Sequence, residues 1–537
     1  MTAMAMHFAD AWEALADAFP DRWATIHDGR RQTWRQYEDR AARLAAAFTA
    51  AGLGPHSKIG LYLYNSPEYM ETQFAGMKIR GVPVNVNYRY RDDELAYLLE
   101  NSDAEAVFFH TSLGDRVARV APTNPNLKLV VAVDDGGDHV VPGAIAYEDL
   151  VAAHDPMPRI ERSEDDLYML YTGGTTGMPK GVMYRIGDFT LGIANNQYAL
   201  SGLPVPTDPA GLVEAARALE AAIPVSIPAC PQMHGTGMWL GSMSPHMAAG
   251  CVVTLPARTF DADELLRTVA DEAVERVIIV GDAFAKPILR ALQAAAERGV
   301  PYDLPSLKLM VSSGVMWGAE VKAGILDHIP HLVIVDAVGS TEAGAMGVTV
   351  TTKGSSVETA HFARSPEVKV FTEDDREVEP GSGEAGMVAT KASSLGYFKD
   401  PAKTDKTFRV IDGVRYCFAG DWATVEADGS LTLLGRGSQC INTGGEKVFP
   451  EEVEEAVKRT PGVLDCLVVG IPDERFGEAV TAVVSTSGPV SEGEIIASVK
   501  GQLSGFKAPK RVLFVSDVPR APNGKADYKT AKKLALD

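Results

Sequence analysis

The segment Tyr171-Thr172-Gly173-Gly174-Thr175-Thr176-Gly177-Met178-Pro179-Lys180-Gly181 holds glycines, hydroxyls and a lysine in one short loop, directly after the apolar run Leu167–Leu170. Glycine lacks a Cβ, so backbone N–H groups there can crowd around an anion. Threonine hydroxyls add donors, and lysine adds a mobile positive charge. Together they suit a polyphosphate. The order is not that of the kinase and GTPase P-loop, in which Gly-Lys is followed by a magnesium-binding Ser or Thr. Here Pro179 precedes Lys180, Gly181 follows it, and the hydroxyls come before the lysine. A polar surface loop is the plain alternative.

The full string resembles the phosphate loop of the adenylate-forming enzymes, the superfamily of acyl-CoA synthetases, luciferases and peptide-synthetase adenylation domains. The resemblance extends along essentially the whole chain, with further motifs in the family order. It implies that Thr172, Gly173, Gly174, Thr175, Thr176, Gly177 and Lys180 bind ATP phosphates, with Thr176 also near the metal and the reacting phosphate. Val338-Gly339-Ser340-Thr341-Glu342 resembles the family segment in which the threonine meets the AMP phosphate and the glutamate holds Mg2+. A carboxylate suits that hard cation. Val338 stands where an aromatic residue usually stacks near adenine. Ser313 and Gly314, within Ser312-Ser313-Gly314-Val315-Met316-Trp317, stand at the loop beside adenine, where Trp317 can instead be core. Asp421 after Ala419-Gly420, with Arg436 after Gly435, matches the ribose-binding pair. Gly444 and Gly445 match the loop beside the pantetheine channel, and Gln439 takes the hinge position. Lys525, in Pro519-Arg520-Ala521-Pro522-Asn523-Gly524-Lys525, matches the lysine that bridges the substrate carboxylate and the α-phosphate. His234, in Pro231-Gln232-Met233-His234-Gly235-Thr236-Gly237, matches a histidine beside the acyl carboxylate.

The elements that must position these residues are legible from periodicity. Residues 34–53 and 67–79 have helical patterns, while the apolar runs 58–64, 82–86, 106–109 and 127–133 suggest strands. The alternation recurs as strand 277–280, helix 283–298, strand 308–312 and strand 331–337, which predicts α/β layers with parallel pairing. Asp412-Gly413 and Asp428-Gly429 each separate short alternating runs, a hairpin signal. The expected fold is therefore α/β with β. A large N-terminal domain of layered sheets (1–435) includes a small β-barrel-like unit at about 361–435. A hinge (436–439) leads to a small mobile α+β C-terminal domain (440–537).

The chain has 537 residues, 46 % of them hydrophobic, which supports large buried cores. A net charge of −20 without a long basic run argues against nucleic acid. The cysteines (Cys230, Cys251, Cys417, Cys440, Cys466) include no CxxC pair, so a reducing, cytoplasmic location fits. No signal peptide or membrane span is expected; peripheral membrane contact and a homodimer stay compatible with the sequence.

The resemblance implies an acid–thiol ligase with ATP, Mg2+ and the co-substrate CoA. The expected substrate is a hydrophobic carboxylic acid, long-chain fatty or a steroid side-chain acid as in bacterial relatives. A Pro-rich stretch and an Ala-rich helical pattern at 201–222 read as an insertion over the acyl pocket, and Met233, Met238, Trp239, Met243 and Met247 read as pocket lining or core. A luciferase-like oxidase, an acyl transferase to a carrier protein and a non-catalytic acid sensor are the alternatives. The set Lys180, Glu342, Asp421, Arg436 and Lys525 disfavours the last.

Overall fold

A computed structural model describes residues 6–173, 178–199, 201–219, 223–315, 317–355, 360–443, 446–473, 476–521 and 525–537. The phosphate-loop residues Gly174, Thr175, Thr176 and Gly177, and the glycines Gly444 and Gly445, lie outside this set.

The apolar runs near the N-terminus form a parallel sheet in the order Val82–Asn85, Lys58–Tyr62, Ala104–His110, Leu129–Val133, Ile145–Ala146. Its helices start where the sequence offers caps. The hydroxyl of Thr33 accepts from the N–H of Gln36 ahead of the helix Trp34–Ala50, whose apolar face is buried. Ser66 caps Pro67–Lys78, with proline in its first turn, where a missing N–H is harmless.

A second, larger sheet carries the site. Trp23–His27, Cys251–Thr254, Val225–Pro228, Arg276–Ile279, Leu309–Ser313 and Val333–Ser340 lie side by side and parallel. Parallel strands end at a common edge, and loops leaving that edge form a crevice. Four of those loops lead to Met233–His234, Gly281, Gly314 and Thr341–Glu342. After Ser340 the chain does not enter a helix. It turns back as the strand Gly344–Thr351, antiparallel to Val333–Ser340.

The sheet then continues through His361–Arg364 into the strands of the β-rich segment. Both expected hairpins form, Phe408–Ile411 with Val414–Cys417 and Asp421–Val425 with Leu431–Arg436. At the first turn Asp412 and Gly413 both have positive φ, 49° and 77°, as a tight two-residue hairpin loop requires. In the middle of the chain, Pro209–Ala218 is a helix capped by Asp208, and it buries Leu212 and Ala216 in the same core as the N-terminal helix Phe8–Ala18. Met233, Met238, Met243, Met247 and Trp317 are all buried.

Residues after the strand Leu431–Arg436 build separate cores. Glu446–Val448, Ile441–Thr443, Gly477–Thr486, Val463–Asp473 and Arg511–Phe514 form one sheet, flanked by the helices Pro450–Lys458, Glu492–Gln502 and Tyr528–Leu536. The two hydrophobic clusters here draw only on residues from Ile441 onward. No helix among the described residues is long and apolar enough to cross a membrane.

Candidate active site

The polyphosphate-loop candidate is flanked by two paired strands. Leu167–Thr172 pairs antiparallel with Lys180–Arg185, with Thr172 opposite Lys180 and Tyr171 opposite Gly181. Gly181 is needed for the close approach: a Cβ there would fall 2.6 Å from Met169 Sδ and 2.9 Å from the Tyr171 ring. Asn85 fixes the near end of the loop. Its buried amide accepts from Tyr171 N (2.6 Å) and donates to Tyr171 O (2.8 Å) and to Met233 O (2.7 Å). One side chain thus ties the phosphate hairpin to the His234 loop. Lys180 does not reach freely into solvent; its ammonium is ion-paired with Asp400, the residue capping the helix Pro401–Thr407.

Glu342 sits in the turn after Val333–Ser340. Ser340 Oγ accepts from Ala343 N at 3.0 Å and Gly339 lies where a Cβ would meet Gly344 O at 2.5 Å, so the turn is tight. Tyr397 donates its hydroxyl to Glu342 Oε1 at 2.8 Å, Ser394 Oγ donates to Glu342 O at 2.6 Å, and the Tyr184 hydroxyl donates to Thr341 O. Val338 is partly buried, packing against the main core. One strand over, Ser313 O accepts from Thr236 Oγ1 at 3.4 Å, and Gly314 has a φ of +95°, the left-handed region.

Asp421 and Arg436 face each other across paired strands, Nε donating to Oδ1 at 3.1 Å. The other oxygen, Asp421 Oδ2, is buried without a hydrogen-bond partner among the described residues. Burial raises the Asp421 carboxyl above its usual range, against the pull of Arg436. Such an orphaned acceptor asks for a donor, and the hydroxyls of a vicinal diol supply one.

Lys525 comes to the same place from the far end of the chain. Its side chain remains accessible, yet the surrounding protein depresses its basicity first by desolvation and then through Arg436, while Glu342 and Asp421 oppose the drop. On either side of it the chain pairs with itself, Ala521 N donating to Lys525 O (2.8 Å) and Arg520 bridging to Ala526. Arg520 anchors it by contacts of 2.7–3.1 Å to the Asp465 carboxylate. His234 lies close enough to Lys525 and Arg89 to feel both charges; burial first and then these cations lower it to about 3. It is therefore neutral at physiological pH, and its buried Nε2 has no partner among the described residues.

Glu342, Asp421, Arg436 and Lys525 thus lie within electrostatic reach of one another, while Lys180 pairs with Asp400. The AMP-binding enzyme family model matches residues 12–398, and the model for the AMP-binding enzyme C-terminal domain matches 452–525. The chain belongs to the AMP-binding enzymes. The 3-oxocholest-4-en-26-oate–CoA ligase of Rhodococcus rhodochrous is 42 % identical over 537 residues, covering 98 % of this chain and 96 % of that protein. The medium/long-chain-fatty-acid–CoA/3-oxocholest-4-en-26-oate–CoA ligase of Mycolicibacterium smegmatis is 40 % identical, covering 99 % and 97 %. The anthranilate CoA ligase AuaEII, solved with anthranoyl-AMP, shares the fold at a TM-score of 0.84 with 20 % identity, covering 100 % of both chains.

In this AMP-binding enzyme, several positions escape sequence reasoning. Asn85 is a polar residue inside the apolar strand Val82–Asn85, and that incongruity is a usable signal. Tyr397, Asp400 and the Arg520–Asp465 pair have none, since their partners lie tens to hundreds of residues away. Among the described residues no three His, Cys, Asp or Glu side chains gather as a metal cage. The Glu342 carboxylate is of the donor type that would suit a magnesium ion.

Proposed function

We propose that this AMP-binding enzyme is an ATP-dependent acid–thiol ligase that activates a hydrophobic carboxylic acid, long-chain fatty or steroid side-chain. In the first half-reaction the carboxylate oxygen attacks the α-phosphorus of ATP. The bond to the β-phosphate oxygen breaks and pyrophosphate leaves, giving an acyl-adenylate. In the second, the CoA thiol loses its proton and its sulfur attacks the acyl carbon, and AMP departs. AMP is needed because a carboxylate by itself has no good leaving group.

The observation that carries the reading is Lys525 beside Asp421, Glu342 and Arg436. Lys525 neutralises charge between the acid and the α-phosphate; its lowered basicity reflects first the loss of water and then the cation Arg436. Asp421 takes the ribose hydroxyls with its orphan oxygen, and Arg436 holds Asp421 in place. Thr172 and Gly173 open the phosphate loop, and Thr341 meets the AMP phosphate. Lys180 exchanges Asp400 for polyphosphate. Ser313, Gly314 and Val338 border adenine. Neutral His234 hydrogen-bonds the substrate carboxylate. A magnesium ion at Glu342, when bound, supplies positive charge to the pyrophosphate oxygens. We place the protein in the cytoplasm.

The substrate class rests on the names of the curated relatives. The test is pyrophosphate and AMP release over a panel of acids with and without CoA. Lys525→Ala is expected to abolish pyrophosphate release yet still convert added acyl-adenylate to thioester. Equal loss of both half-reactions would remove Lys525 from the first step.

A further inference from the structure

Glu451 opens the helix Pro450–Lys458, the first helix after the strand Leu431–Arg436. Its side chain points back at that strand. Arg436 N donates to Glu451 Oε1 at 3.4 Å, and a Cβ on Gly435 would fall 2.1 Å from Oε2. The carboxyl group therefore fills the space that a side chain at Gly435 would take. Gly435 has a φ of +125°, a conformation that also excludes most side chains. Oε2 is buried and has no hydrogen-bond partner among the described residues.

A buried carboxyl with one unsatisfied oxygen is unfavourable unless its surroundings compensate. Around Glu451 they are mixed. Arg436 attracts its charge and Asp421 opposes it; burial is the largest effect, and the group is held well above the usual carboxylate range. Glu454 on the same helix and Tyr528 on the last helix face it as well. Arg436 is shared: its backbone N–H meets Glu451 while its Nε meets Asp421. The neighbouring contacts lie on the same seam. Trp422 and Phe449 have ring centroids 5.7 Å apart, and Gly437 N donates to Gly420 O at 3.0 Å.

We infer that Glu451 is a positioning residue for adenylate formation: its carboxyl group seats the helix Pro450–Lys458 on Gly435–Arg436 and so sets Arg436 and Lys525 together at the nucleotide. The inference rests on the two-step reading above. Only the first step needs Lys525 in the crevice, so loss of Glu451 spares the second. A neutral side chain of the same shape serves, because the contact that matters is acceptance from the Arg436 N–H.

The experiment uses the full chain and separates the half-reactions. Pyrophosphate release is measured with ATP and an accepted acid, and thioester formation with preformed acyl-adenylate and CoA. Glu451→Ala is expected to lower pyrophosphate release roughly tenfold to a hundredfold, the effect of a displaced catalytic group. Thioester formation is expected to stay within about twofold of wild type, well under one tenfold step in barrier. Glu451→Gln is expected to restore most of the first rate. Equal loss in both half-reactions, or an unchanged first half-reaction in Glu451→Ala, overturns the inference. If the alanine variant does not fold, the inference is carried by Glu451→Asp, which shortens the reach by one methylene and is expected to slow only the first step; equal slowing of both steps overturns it. A wild-type protein that releases no pyrophosphate with any acid would instead sink the two-step reading itself.

Discussion

Asp421 does two things with two oxygens. Oδ1 is satisfied by Arg436, and Oδ2 is buried without a partner among the described residues. An orphaned buried acceptor costs on the order of 1–3 kcal/mol. At Asp421 a ribose hydroxyl would supply the missing donor. Asp421→Asn keeps an acceptor for Arg436 but offers the ribose a donor in place of an acceptor. KM for ATP should rise about tenfold, the equivalent of one lost hydrogen bond. The melting temperature should not fall, since the substitution removes a carboxyl whose ionisation burial already opposes. A drop in stability with unchanged KM would mark Asp421 as structural. His234 follows the same logic: an unpartnered nitrogen, held neutral, is suited to hydrogen bonding rather than to charge.

At the scale of elements, the strands flanking the phosphate loop are fixed at their near end by one side chain. Asn85 binds both the N–H and the C=O of Tyr171, and also the C=O of Met233. Asn85→Ala leaves these backbone groups buried and unpaired. A loss of roughly 1–3 kcal/mol per unsatisfied group is expected, read as a lowered thermal midpoint. Pyrophosphate release should also fall at temperatures where the variant is folded, because the hairpin and the His234 loop would lose their common tie. Stability that falls with no change in the first half-reaction would confine Asn85 to the fold. The Asp-Gly hairpins and parallel strands were legible from local chemistry. The strand-to-strand turn at Glu342 was not: a strand followed by polar residues and glycine is equally compatible with a helix start, and the pairing of Gly344–Thr351 with Val333–Ser340 decides it.

For the whole molecule, the buried histidines and the buried Glu454 respond to pH in opposite directions. His7, His110 and His246 are buried in the larger body and lowered from 6.5 to about 3, 4 and 4, chiefly by burial. His7 and His110 use a neutral ring nitrogen to accept from Ala9 N and Tyr64 N. A depressed histidine leaves the unfolded chain binding more protons. Its contribution is complete above pH 6.5 and is lost as pH falls toward 4. Glu454, buried among residues after Ile441, is raised by burial and then by Glu451. For it the folded state binds more protons, so its contribution is complete below the ordinary carboxylate value of 4.5 and is lost as pH rises above it. Hydrogen exchange, corrected for intrinsic rate, should show residues 8–110 losing protection between pH 6.5 and 4. Residues 454–484 should instead lose protection as pH rises from 4.5. A common trend in both regions would refute the separation.

The sequence by itself determined the alternation of strands and helices, the hairpins and the order of the motifs. These depend on period, turn chemistry and residue type, which act over a few positions. It also placed Lys525, Asp421 and Glu342 as candidates from the residues flanking each of them. Tertiary structure alone decided that Lys180 rests on Asp400, that Tyr397 holds Glu342, and that Glu451 reaches Arg436. Such contacts join residues from 15 to 220 positions apart. No local pattern encodes them, because they exist only once the sheets have brought those segments to the same edge.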